Sequence, residues 1–307
     1  MEHGNLVVSS SPHIRSKESV NSIMYNVIIA LLPATVAAIY FFRLRAFLLI
    51  AVSIIAAIAA EAIILKIRKK PIAINDGSAI ITGLLLALTI SPAMPLWMAV
   101  VGSVVSIGIG KQVYGGLGSN PFNPALVGRA FLIITFPVQM TTWINPIDGL
   151  ATATPLGLQK MEGIGTGYLE LLLGNVGGSL GETSALLLLI GGLYLIYKGI
   201  IRWYIPVSYL GTVAAMSLIL GSDPIFQLLS GGLMLGAFFM ATDMVTSPVT
   251  KKGQLIFGIG AGLITIIVRL YGGYPEGVLF SILLMNIFTP IIDKYAMPKI
   301  YGEVKSK

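Results

Sequence analysis

The chain has 307 residues, 55% of them hydrophobic and 11% charged, with a mean hydropathy of +0.87, which lies outside the range of soluble globular proteins and reads as an integral membrane protein. Its net charge of +7 excludes a nucleic-acid groove, because the basic residues are scattered at the ends of apolar runs and not gathered on one face. Cysteine is absent and the two histidines, His3 and His13, fall in the polar N-terminal stretch, so thiolate metal sites, disulfides and a bis-histidine haem in the bilayer are excluded and any redox cofactor is expected to be organic.

Residues 1–20 read as a cytoplasmic N-terminal segment, without the short apolar core and small-residue cleavage site of a secretory signal. Ten apolar runs follow, near 21–42, 46–65, 77–92, 96–113, 123–140, 183–200, 203–220, 226–243, 254–271 and 276–292. Each is read as a helix across roughly 30 Å of hydrocarbon. The third and eighth are short and rich in Gly, Ser and Thr, and they read as broken or partly re-entrant.

Lys and Arg set the orientation. With the N-terminus in the cytoplasm, fifteen basic residues fall on that side: Arg15, Lys17, Lys66, Arg68, Lys69, Lys70, Lys111, Lys198, Arg202, Lys251, Lys252, Lys294, Lys299, Lys305 and Lys307. Only Arg43, Arg45, Lys160 and Arg269 fall on the other. Both termini are therefore expected in the cytoplasm, with the polar connection 141–182 extracytoplasmic and residues 293–307 forming a cytoplasmic tail.

Ser91-Pro92 precedes Tyr114-Gly115-Gly116 at nearly the spacing at which Ser247-Pro248 precedes Tyr271-Gly272-Gly273. The repeat unit implied, 21–140 and 183–292, is five spans long. An odd number inverts the second copy, so the fold class expected is an all-α polytopic membrane protein of two inverted five-helix repeats, with its site near mid-membrane where the repeats meet.

Polar residues inside the spans mark candidate sites. Arg129 follows Asn120-Pro121-Phe122-Asn123-Pro124 and lies nearly two turns into the fifth span, where arginine costs about 2.5–3.5 kcal/mol on insertion scales. It either faces a polar partner or snorkels to the headgroups. By the repeat it corresponds to Asn286. Glu61, Asp76 and Asp243 sit at or near span ends; Asp243, in Met240-Ala241-Thr242-Asp243-Met244-Val245-Thr246-Ser247-Pro248, offers a carboxylate and hydroxyls suited to a hard cation such as Na⁺, or serves as a helix-end partner for Lys251 and Lys252.

The segment Asp148-Gly149-Leu150-Ala151-Thr152-Ala153-Thr154-Pro155-Leu156 opens the polar connection. It resembles the D-G-x-S-G-A-T-P-L flavinylation motif of the RnfD/NqrB family, membrane subunits of ion-pumping electron-transport complexes. Asp148, Gly149, Ala153, Thr154, Pro155 and Leu156 match; Ala151 and Thr152 replace the family's serine and glycine, which makes Thr152 a competing acceptor. Met240 to Pro248 resembles the family's M-A-T-D-x-V-T-S-P signature, and Gly174 to Ser184 its G-x-x-G-G-S-x-G-E-x-S stretch, read as a wall of the flavin pocket. The resemblance runs from Pro12-His13 through the tenth span, and length and the short N-terminal arm favour the RnfD branch.

The resemblance implies a urea-channel-like fold and FMN esterified through phosphate to Thr154, attached by a flavin transferase. It also implies a noncovalent riboflavin within the bundle near Arg129 and Asn123. The expected setting is a bacterial cytoplasmic membrane and its lipid, in a complex with a second covalent-flavin subunit, two small helical subunits carrying an iron–sulfur centre, and peripheral iron–sulfur and flavin subunits that oxidise ferredoxin and reduce NAD⁺, coupled to Na⁺ or H⁺ movement. No complete catalytic activity is expected of this chain alone, which has no dinucleotide fingerprint and no cysteine set. The competing reading is an inverted-repeat channel for a small polar solute, for which the 148–156 motif would have no use.

Overall fold

A computed structural model describes residues 19–71, 74–146, 149–163, 165–182 and 184–297. The candidates His3, His13, Arg15, Lys17, Asp148, Lys299, Lys305 and Lys307 lie outside these residues. The regular structure among the described residues is helical apart from one two-stranded antiparallel ribbon.

The first helix, α1 (Val20–Ile67), is capped by Ser19, whose hydroxyl accepts from the Ser22 N–H at 3.1 Å. It covers the first two predicted runs without a loop: at Arg43 the backbone turns through φ 52° and ψ −137°, dividing the helix into two limbs. The limbs are followed by α2 (Ser78–Thr89), α3 (Leu96–Ile107), which continues as a π-helical turn over Gly108–Gln112, α4 (Pro124–Thr135) and α5 (Pro137–Thr141). The fifth predicted run therefore ends early, because Pro137 cannot continue the hydrogen-bond ladder of α4.

The polar connection carries two short helices, α6 (Pro155–Glu162) and α7 (Tyr168–Leu173), and after it come α8 (Ala185–Tyr197) and α9 (Tyr204–Ile219). The eighth predicted run is in pieces: α10 (Pro224–Leu229), a non-helical break at Ser230-Gly231-Gly232, α11 (Leu233–Leu235) and a second π-helical turn over Gly236–Met240. The third, by contrast, is the unbroken twelve-residue α2. The chain closes with α12 (Lys251–Tyr271) and α13 (Val278–Ala296).

Three helices, α1, α12 and α13, are long and apolar enough to cross a membrane; α2, α3 with its π turn, α4, α8 and α9 are shorter apolar helices. Large apolar side chains such as Tyr40, Leu44, Ile134, Tyr197 and Ile219 stand on the outside, as a lipid-facing surface requires. The chain is a polytopic integral membrane protein. One buried apolar cluster draws on α1, α2, α3 and α4 and on α8, α9, α12 and α13 together.

Where helices touch without help from a hydrophobic driving force, small residues set the separation. A Cβ added to Gly83 of α2 would lie 2.7 Å from the Ser53 carbonyl oxygen and 2.8 Å from the Ile54 Cα of α1, and one added to Gly191 of α8 would run into the Ala30 carbonyl. Both obstacles are backbone and cannot swing aside. Gly191→Val is expected to destabilise the α1–α8 contact by about 1–3 kcal/mol or more, seen as a lowered unfolding temperature in detergent, whereas Val at Gly211, where nothing lies near the added Cβ, is expected to be neutral.

Candidate functional site

The connection 141–182 folds onto the helices. Trp143–Ile144 (β1) pairs antiparallel with Ala151–Thr152 (β2), and Gly149 takes φ 70° in the turn between them. Leu156, Leu171 and Val176 pack on Phe226 of α10. At the other end, the Leu180 and Gly181 N–H groups donate to Ile90 at 3.2 Å and Leu88 at 2.6 Å, satisfying carbonyls that α2 leaves open at its C-terminus. Of the connection's glycines, Gly177 lies against the Thr152 methyl, whereas Gly163 and Gly165 have open space about them.

Thr154 is placed by ordinary capping chemistry. It is the N-cap of α6, its Oγ1 accepting from the Gly157 N–H at 3.1 Å, and Pro155 fills the first helical position with the φ it prefers. The residue is buried, 2% exposed, yet its side faces a cavity of about 190 Å³. Around it stand Ala153, Gly157, Trp143, Tyr274, Glu276 and Arg129, with Phe280 and Met140 adding apolar wall. A flat aromatic group fits such a lining, and the N-terminal end of α6 and the Arg129 guanidinium place positive potential beside Thr154 Oγ1.

The other sequence candidates divide. Gly149 and Thr152 do not line this cavity; the Thr152 hydroxyl donates to the Ala153 carbonyl at 3.3 Å. Among the described residues of 174–184 none lines it; the stretch read as a wall lies behind Thr152 and sends Glu182 inward. Arg129 is 4% exposed and does not snorkel; its Nη2 donates to Glu276 Oε2. Asn286, its counterpart in the sequence repeat, does not meet Arg129: its Oδ1 accepts from the Asn123 N–H at 3.3 Å and its Nδ2 donates to the Thr246 carbonyl at 3.1 Å.

Asn123 and Arg129 also part company. Asn123 is the N-cap of α4, accepting from Ala125 and Leu126, and lines a second cavity, about 90 Å³, with Asn120, Lys111, Asp243, Met24 and Phe238. Both π-helical turns supply side chains to it, Lys111 from one and Phe238 and Phe239 from the other. Lys111 is not a surface charge: it is 1% exposed and donates to Glu61 Oε1 and to Ser78 Oγ, each at 2.6 Å. The Asp243 carboxylate accepts from the Val245 N–H and the Thr246 hydroxyl, both at 3.3 Å. Among the described residues no group of three His, Cys, Asp or Glu side chains could hold a metal.

Sequence reasoning missed Glu276, placed Glu182 only as part of the 174–184 stretch, and counted Arg269 only as a charge. Arg269 is 3% exposed and donates to the Gln227 carbonyl at 2.6 Å and the Ser230 carbonyl at 3.0 Å, compensating the C-terminal carbonyls that the break after α10 leaves open. Glycine at 231 is required there, with φ 65°, and a Cβ would lie 2.7 Å from Leu156 and 3.2 Å from Arg269 Nη2. The only sequence hint was an Arg followed by a Gly/Pro-rich turn.

Outside the spans, the Tyr168 hydroxyl of α7 donates to Asp223, the N-cap of α10. That bond raises the Tyr168 hydroxyl above its usual value and, with the Phe226 and Ile225 N–H groups, lowers the Asp223 carboxyl below 3.8. A depressed carboxyl contributes stability above its unfolded value and loses it as pH falls through the folded one. Reduced amide protection over 168–173 is therefore expected in acid, as Asp223 is protonated, and again in strong alkali, as Tyr168 ionises, but not at neutrality.

Against known proteins, residues 7–302 match the model of the NQR2, RnfD, RnfE family. The chain is 56% identical to a subunit of the Na⁺-translocating ferredoxin:NAD⁺ oxidoreductase complex of Acetobacterium woodii, over 100% of this chain and 98% of that one. It is 49% identical to a subunit of the proton-translocating ferredoxin:NAD⁺ oxidoreductase complex of Clostridium ljungdahlii, over 96% of each chain, and 44% identical to a subunit of the ion-translocating oxidoreductase complex of Stutzerimonas stutzeri, over 93% of each. A match over nearly every residue, with relatives of almost equal length, leaves one conclusion: the chain belongs to the NQR2, RnfD, RnfE family.

Proposed function

We propose that this chain is a membrane subunit of an ion-translocating ferredoxin:NAD⁺ oxidoreductase complex, and that it carries FMN as a phosphoester on Thr154. The observation that carries the flavin reading is the position of Thr154: the one hydroxyl of the 148–156 motif that lines the aromatic cavity, at a helix start suited to phosphate. FMN held there supplies one- and two-electron chemistry. The chain's own part is placement. Trp143, Tyr274 and Phe280 exclude water, Arg129 supplies positive charge, and the tether keeps the cofactor at high effective concentration.

The second cavity is the proposed seat of a noncovalent riboflavin, with Asn123 and Asn120 offering amide groups to a polar ring edge and Asp243 on the path of the coupled ion. Helix α4 joins the two cavities, Asn123 at one and Arg129 at the other, six residues or about 9 Å apart along the helix. Electrons passing between them need not leave the protein. The proposal extends to two inverted five-helix repeats, with 141–182 on the extracytoplasmic side of a bacterial cytoplasmic membrane and both termini inside. The other subunits of the complex are its partners.

The test is flavin fluorescence of the denatured protein in a gel, with intact mass, after co-production with a flavin transferase. One FMN per chain supports the reading. An unmodified chain, beside a transferase active on another substrate, would overturn it and favour a solute channel.

A further inference from the structure

Behind the Thr154 cavity, four segments bring buried charges together. Arg129 of α4 is paired with Glu276, which precedes α13, and Glu182, which precedes α8, stands beside the same guanidinium across Gly232. Glu182 Oε2 accepts from the Ser179 N–H at 3.4 Å. The break in the eighth run makes room: a Cβ on Gly232 would lie 3.4 Å from Glu182 Oε1 and 3.9 Å from Arg129 Nη1.

The remaining ionisable groups that face this set are accounted for. Arg269 of α12 is held by neutral oxygens of Gln227 and Ser230 and acts on both carboxyl groups only through space. The Tyr209 hydroxyl of α9 is shared between Thr265 and Ser281 at 2.7 and 2.9 Å, and Lys160 of α6 is turned to the Arg269 and Gly272 carbonyls. Tyr274 lines the cavity beside Glu276.

Two carboxyl groups of like charge in one dry cluster, with a single guanidinium in contact, favour a state in which one proton is held between them. Glu182 Oε1 and Glu276 Oε1 are buried without a partner, so neither carboxyl group is saturated by fixed donors. With one shared proton and two guanidinium groups, the set carries one positive charge in a medium of low dielectric constant, where a neighbouring charge is felt strongly.

We propose that the Glu182–Glu276 pair is a proton-exchange site for the cavity at Thr154. An electron arriving in the cavity adds one negative charge, and the pair takes up one proton from water by way of Glu276, the member that lines the cavity. When the electron leaves, the proton leaves by the same route. No bond to the occupant forms. The redox step rests on the flavin reading given above; the shared proton does not.

The experiment is infrared spectroscopy of the full-length protein in liposomes, read at the carboxylic-acid C=O band. In unmodified protein the band is expected to titrate with pH and to vanish in both Glu182→Gln and Glu276→Gln, which preserve shape and are checked for folding by their unfolding temperature. In flavinylated protein a reduced-minus-oxidised difference band is expected at the same position, and the midpoint potential is expected to follow pH in the wild type and to lose that dependence in either variant. A band that persists in both variants, or no carboxylic-acid band in the wild type, would overturn the proposal. A band that titrates with pH in a protein that accepts no flavin would retain the shared proton and sink only the redox reading.

Discussion

Thr154→Ala is expected to leave the protein folded, in the membrane and devoid of covalent flavin. The hydroxyl is the N-cap of α6, and its loss costs about 1 kcal/mol of helix stability. That is small beside the apolar cluster of Leu156, Leu171, Val176 and Phe226 that holds the connection down. The loss of fluorescence would then report chemistry and not collapse. Thr154→Ser keeps both the cap and the nucleophile and is expected to retain some flavin. Thr152→Ala is expected to retain all of it, because that hydroxyl lies outside the cavity. Intact mass of the three variants, purified from cells that also make the transferase, checks the whole set; flavin lost from Thr152→Ala and kept in Thr154→Ala would move the attachment point.

The second large effect concerns Arg129. Arg129→Met removes the guanidinium from a pair whose side chains are 5% and 12% exposed and leaves Glu276 facing Glu182 with no cation in contact. Breaking a buried pair from one side costs about 3–5 kcal/mol. A fall in unfolding temperature in detergent of several degrees is expected, with poor recovery from the membrane. The double variant Arg129→Met/Glu276→Gln is expected to regain most of it, since no unpaired charge then remains at that position. Equal damage in single and double variants would mean that packing, and not charge, is what Arg129 supplies.

Some of this was legible in the sequence because the signals are local. Asn123-Pro124, a capping residue followed by proline, opens a helix where the fifth run was expected, whereas the same signal at Thr154-Pro155 opens α6 inside a connection read as a loop. Hydropathy located the helical segments but not their ends, because a proline at 137 and glycines at 231 and 232 cut apolar runs that read as continuous. At Arg43 a non-glycine residue takes positive φ, which no local residue preference announces. The charge cluster was invisible for a different reason: Arg129 and Glu276 are 147 residues apart, and periodicity carries no information over such distances. Lys111 and Arg269 entered the charge balance as residues at the ends of apolar runs, yet both are buried and held by side-chain or backbone oxygens.

The burial of Thr154 has a consequence for the order of assembly. An enzyme that esterifies a hydroxyl must present a bulky donor in line with it, and this hydroxyl is closed over by its own helix and bonded to Gly157. On the attachment proposed above, the modifying enzyme would have to act while residues 149–163 stand away from α10 and α13, and a chain that closed first would be sealed against it.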